Sequence, residues 1–304
     1  MLKLKQYLHK VVLVPVGVFV IWRALFGLYF LYYSVRMIPY AAEIYGNNGL
    51  VSNIVFNWTY GLFPTIFSII STQGFIVGIH VLLALLGILL SCGVFPRLTP
   101  LLIWYIQTSL YNRNNLTDDP SQAFVGLLLL TLALIPSQPK LLTRSKKDIQ
   151  IPFFVFFGPI FVFCVAFTVS AIDKITSISW GNGTAFWQML HLGIARHTNL
   201  VEWLIVHQNI THIVSYVAVL TQFVCLPFFL IGKYRWSLVI NFLSFSIMFV
   251  LFDLNQVIYG MLFFYSFFLL NMNWSYCRQM VGRWLPIKRY SFLPTHFEKG
   301  QAKK

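Results

Sequence analysis

The chain has 304 residues, of which 58% are apolar and only 10% charged, with a mean hydropathy of +0.73. An average soluble domain is roughly 45–50% apolar and about 25% charged. These figures exclude a soluble enzyme and an intrinsically disordered chain. The net charge is +14, from 22 basic and 8 acidic residues. In a soluble protein that balance would point to nucleic acid. Here the basic residues gather in short loops and tails, the positive-inside pattern of a membrane protein. The expected partner is therefore the lipid bilayer, with no nucleic acid.

A spanning helix needs about 20 residues. The first apolar run, 12–36, contains Arg23 and is too long for a cleavable signal peptide. An aromatic run with Pro64 follows at 55–71; the proline interrupts a helix, so this segment is expected to lie in the interface. Further runs cover 75–96, 98–112, 122–138 and 151–173. A second interfacial segment, 176–207, carries Trp180, Trp187 and Trp203. The last runs are 211–232, 235–253 and 255–272. The fold class predicted is all-α: a polytopic helical bundle of about eight spans with two outer interfacial segments. Residues 1–272 form the transmembrane domain and 273–304 a basic cytoplasmic tail.

Charge orients this drawing. With the N-terminus in the cytoplasm, 17 of the 22 basic residues fall on inner segments, counted as Lys3, Lys5, Lys10, Arg97, Lys140, Arg144, Lys146, Lys147, Lys233, Arg235 and the seven of the tail. Both termini are then cytoplasmic in a multi-pass protein of the cell membrane. Six of the eight acids, Glu43, Asp118, Asp119, Asp173, Glu202 and Asp253, fall outside. The outer polar loops are where chemistry is expected.

Three places there or nearby stand out. Lys174 ends the fifth run in Ser170-Ala171-Ile172-Asp173-Lys174. A desolvated lysine is a usable base or nucleophile, while a snorkelling anchor at a helix C-terminus is the plainer role. Arg23 lies well inside the first run, where an arginine normally faces the bundle interior and a partner. The turn Tyr111-Asn112-Arg113-Asn114-Asn115, with Asp118-Asp119-Pro120 behind it, is rich in turn formers. It reads either as a hairpin or as the lining of an outward cavity shared with Lys174. Trp180-Gly181-Asn182-Gly183 adds an interfacial anchor and a tight turn. The four cysteines, Cys92, Cys164, Cys225 and Cys277, show no CxxC or metal-like spacing with histidine.

Four of these features, in order, resemble the horizontally transferred transmembrane family, whose best-known member is the vitamin K-dependent gamma-carboxylase. They are Arg23 with Phe26-Gly27-Leu28, the loop Tyr45-Gly46-Asn47-Asn48-Gly49-Leu50, the turn Ser109 to Asn114 with Asp118-Asp119, and Lys174 followed by Trp180 and Gly183. Together they cover roughly residues 15–190. The resemblance implies that Lys174 is a candidate catalytic base and that a quinone is a possible cofactor. It also implies substrate-binding roles for Arg23, Arg113, Asn114, Asp119 and Trp180. The chain departs from the carboxylase branch in four ways. One extra residue separates Lys174 from Trp180. Asp173 replaces a second lysine, the catalytic histidine has no counterpart, and the soluble carboxylase domain is missing.

In size the chain is similar to a small bacterial branch, the sporulation-delaying-protein B type. That likeness implies a protein needed to mature or export a secreted antimicrobial peptide, with the peptide precursor and a small accessory maturation protein as partners. The alternatives are a membrane enzyme acting on a quinone-like substrate through Lys174, and a transporter or immunity protein without chemistry. The expected site is an outward cavity lined by Arg23, Arg113 and Lys174.

Overall fold

The computed structural model describes residues 11–47, 49–50, 62, 64–68, 70, 72–114, 117, 119–136, 138–141, 148–253 and 255–270. Most of the 55–71 segment and the basic tail lie outside them. The described chain is mostly helical. Five segments are long and apolar enough to cross a membrane: Val16–Tyr45, Gln73–Cys92, Phe153–Thr176, Gln208–Leu230 and Tyr234–Leu251. They mark an integral membrane protein.

The expected all-α chain contains one exception. Strand β1, Val11–Val14, pairs antiparallel with β2, Ile149–Pro152, with Val12 opposite Ile151 and Val14 opposite Ile149. Two apolar runs that read as continuous helices thus begin as strands. The cause is local. β-branched residues alternate with outward ones, burying Val12, Val14, Ile149 and Ile151. Pro15, just after β1, and Pro152, the last residue of β2, each sit at the N-cap of the next helix. A proline there loses no helical hydrogen bond.

Helix α1, Val16–Met37, is apolar on both sides. Phe19, Trp22, Phe26, Phe30 and Tyr33 form its buried stripe, while Ile21, Leu25, Leu28, Tyr32 and Val35 are exposed at the same helical spacing. A helix apolar all round belongs in a bilayer. After a turn at Ile38–Tyr40 comes the short α2, Ala41–Tyr45. Helix α3, Gln73–Cys92, runs back along α1. Gly27 and Gly87 let the two backbones touch, with the Gly87 Cβ position 2.7 Å from the Gly27 carbonyl oxygen. Ser91 Oγ ties them further, donating to Ala24 O at 2.9 Å. Gly93 ends α3 at φ +71, a left-handed cap suited to glycine.

Helices α4, Leu98–Arg113, and α5, Pro120–Leu134, are apolar but shorter. Next comes α6, Phe153–Thr176. The 176–207 segment folds into three short helices: α7 (Ile178–Gly181), α8 (Ala185–Leu190) and α9 (Asn199–Val206). They carry their own small core of Phe186, Leu190, Ala195, Val201 and Leu204, closed by Leu251 and Phe252. Helices α10 (Gln208–Phe223), α11 (Cys225–Leu230), α12 (Tyr234–Leu251) and α13 (Asn255–Leu270) complete the described chain.

The main core is aromatic. Phe26 of α1 packs on Phe263 of α13 at 5.3 Å between ring centroids, and Phe163 of α6 on Phe264 at 5.5 Å. Trp22 Nε1 donates to Ser266 Oγ at 3.0 Å, which satisfies the indole inside the bundle. These contacts sort the connections into two ends. One end holds β1, β2, Gly93 to Arg97, Pro136 and residues 138–141; the other holds α2, the end of α4 with Asn114, Thr117 and Asp119, and α7 to α9.

Candidate functional site

The 111–119 turn is a bonded junction. Helix α4 ends at Arg113, and Asn114 leaves it in an extended conformation. Arg113 is 3% exposed. Its Nε donates to Tyr45 O at 3.1 Å and its Nη2 to Asn47 Oδ1 at 2.8 Å. Asn114, wholly buried, donates through Nδ2 to Ile44 O at 2.8 Å. The last turn of α2 leaves carbonyls without helical partners, and α4 supplies both donors. Thr117 closes the junction. Its hydroxyl accepts from Tyr45 Oη at 3.3 Å and donates to Asn114 O at 2.7 Å.

Four phenols line this junction. Tyr29, Tyr33, Tyr45 and Tyr111 lie within electrostatic range of one another or of Asp119. Tyr33 and Tyr45 are buried and Tyr29 and Tyr111 half-buried. The Tyr45 ring lies 5.5 Å from the imidazole of His80, a wholly buried residue of α3. Asp119 faces inward to its own helix. It caps α5, accepting from Ser121 N at 2.7 Å and from Gln122 Nε2 at 3.1 Å, with Pro120 next in the first turn.

Lys174 lies in the last turn of α6, half-buried. Its Nζ donates to Ser170 Oγ at 2.6 Å and to Gln222 Oε1 of α10 at 3.0 Å. The Trp180 ring centroid is 5.5 Å from Nζ, within cation–π range. Neighbouring Asp173 is exposed and makes no ion pair with it, since adjacent helical side chains diverge. Lys174 is therefore held by two neutral acceptors and an aromatic face.

Arg23 stands apart. Its partners are Gln138 and the end of α3 at Gly93. Fourteen residues of α1 separate it from Met37, about 21 Å at helical rise. The cavity expected to be lined by Arg23, Arg113 and Lys174 is thus not formed, because α1 carries Arg23 to the opposite end from Arg113. Arg113 and Lys174 share an end but no bonding partner. Trp180 is brought to Lys174, and Asn114 and Asp119 to the Arg113 junction.

Sequence reasoning missed Gln222, Gln138 and the tyrosine group. The two glutamines carried a signal: Gln222 is the lone amide of the 211–232 run, and Gln138 is the amide that ends the 122–138 run. No known protein family, curated protein or solved structure matches the chain.

Proposed function

We propose that the chain is an eight-span protein of the cell membrane, with both termini cytoplasmic, that serves the maturation or export of a secreted antimicrobial peptide. On this reading it is a member of the horizontally transferred transmembrane family, similar in size to the sporulation-delaying-protein B type. One observation carries the reading. The two segments that bear the resemblance, Ile44 to Asn47 and Arg113 to Thr117, are bonded to each other through Arg113, Asn114 and Thr117. Motifs far apart in sequence are thus bonded into one unit, as a shared functional site requires. The half-buried phenols and the Lys174 amine lie at the same end, facing the outer leaflet in this topology. Deleting the gene in its host tests the reading. Mature peptide is expected to vanish from the medium while its precursor stays with the cells. Wild-type copies restore it, and an unchanged set of secreted peptides refutes the proposal.

A second reading has its own support. An enzyme acting on a quinone-type substrate needs a lysine that can shed its proton. Lys174 is held by a hydroxyl and an amide, with no carboxylate paired to it among the described residues. Turnover of a short-chain quinol by the purified protein, lost on Lys174→Met, would favour this reading; no turnover would remove it.

A further inference from the structure

Arg23 is wholly buried, and two of its guanidinium nitrogens, Nε and Nη2, have no hydrogen-bond partner among the described residues. The third, Nη1, reaches Gln138 Oε1 at 3.4 Å, a long contact. The Phe19 ring lies 5.8 Å away. Among the described residues no acid pairs with Arg23. Burying an unpaired charge is far costlier than burying a paired one.

The identity of the free atoms matters. Nε–H and Nη2–H lie side by side on one edge of the guanidinium. That edge is a fork matched to two oxygens of one oxyanion. Gln138 takes only the remaining nitrogen. Gly93, at φ +71, lets the fork rest on the end of α3; a Cβ there would collide with Nη2. The negative end of the α3 dipole favours a cation. Its carbonyls do not bond the fork; Leu89 O and Leu90 O accept from Val94 N and Gly93 N.

Position selects the kind of anion. Arg23 lies seven residues into α1, about 10 Å from the helix start. Helical side chains lean toward the N-terminus, here toward the nearby bundle end. That end carries exposed Arg97 and Lys140. Arg97 Nη2 donates to Pro136 O at 2.8 Å, and Gln138 Nε2 to Pro96 O at 3.2 Å. Gln138 therefore bonds both Arg23 and the backbone of Pro96, next to the exposed Arg97.

We infer that Arg23 and Arg97 form a binding site for one phosphate oxyanion at the β1–β2 end of the bundle, supplied by an anionic phospholipid headgroup or by free phosphate. Gln138 engages only Nη1, so the fork of Nε and Nη2 is left to the anion. The site is separate from the Arg113 junction and does not depend on the secretory role.

Thermal unfolding of the purified full chain in non-ionic detergent tests this. Dihexanoyl phosphatidylglycerol is expected to raise the Tm saturably, and dihexanoylglycerol, which lacks the phosphate, to leave it unchanged. Inorganic phosphate separates the sources: a matching saturable rise assigns the free anion, and no rise assigns the headgroup. Arg23→Lys keeps the charge but loses the fork, so binding should weaken at least about tenfold. Arg97→Ala, at an exposed position, should weaken it roughly threefold. Gln138→Ala should bind at least as tightly as wild type. If Arg23→Lys does not fold, the Arg97 and Gln138 variants carry the test. Equal responses to the two lipids, or wild-type affinity in both arginine variants, would overturn the inference.

Discussion

The Nζ of Lys174 donates to Oε1 of Gln222 at 3.0 Å, joining the end of α6 to the end of α10 across 48 residues of sequence. The bond holds the amine half-buried beside the Trp180 ring, and it separates two roles for this lysine. An anchor needs only a cation, whereas a base needs a proton it can release.

Substitution distinguishes them. Arginine reaches the same acceptors and snorkels equally well, but it does not deprotonate. Lys174→Arg and Lys174→Met are expected to insert normally while secretion of mature peptide falls at least about tenfold. Loss of a general base typically costs about 100- to 10,000-fold. Gln222→Leu, which leaves Ser170 as an acceptor, should fall between wild type and these variants. Quantifying the mature peptide in the medium reads the effect, and full secretion from the arginine variant rules out a base.

Arg113 satisfies the carbonyl of the buried Tyr45 and the Oδ1 of the exposed Asn47. Arg113→Met keeps an unbranched apolar stem and removes both donors. Each buried acceptor left without a partner costs about 1–3 kcal/mol. A clearly lower Tm of the purified protein in detergent is expected, with the larger drop when Asn114→Leu is added, since Ile44 O then loses its donor as well. A double variant no less stable than wild type would show that the junction contributes nothing.

The close approach of α1 and α3 gives a test with an internal control. A Cβ at Gly27 would collide with Ser91 Oγ and the Gly87 carbonyl, whereas one at Gly78 meets nothing within 4 Å. Gly27→Ala should destabilise by about 1–3 kcal/mol through overpacking. Gly78→Ala should be neutral or gain about 0.5–1 kcal/mol, because alanine loses less backbone freedom in a helix. Membrane-resident protein on a blot, together with Tm in detergent, checks both. Equal behaviour of the two variants would contradict the packing.

Orientation is tested by labelling. In a cysteine-free background, Glu202→Cys and Lys140→Cys place thiols at exposed positions on opposite ends of the bundle. With the basic-rich end in the cytoplasm, an impermeant maleimide should label position 202 in intact cells and position 140 only after lysis. The reverse pattern would invert the topology and move the Arg113 junction to the cytoplasmic face.

Hydropathy is a local property, so the sequence by itself located the apolar runs, the Trp-bearing segment after Lys174 and the break at the Asn-rich turn. The cap formed by Asp119 before Pro120 was equally local. The strands at Val11–Val14 and Ile149–Pro152 were not legible, because a short β-branched run has no strand identity until a partner 135 or more residues away pairs with it. The same reason governs the site. Arg113 meets Tyr45 O, Asn114 meets Ile44 O and Lys174 meets Gln222 only once the fold brings these helix ends together. Arg23 shows the converse. Its residue type foretold a buried arginine, and only the direction of α1 against α3 decided that it belongs with Gly93 and Gln138, at the opposite end from Arg113.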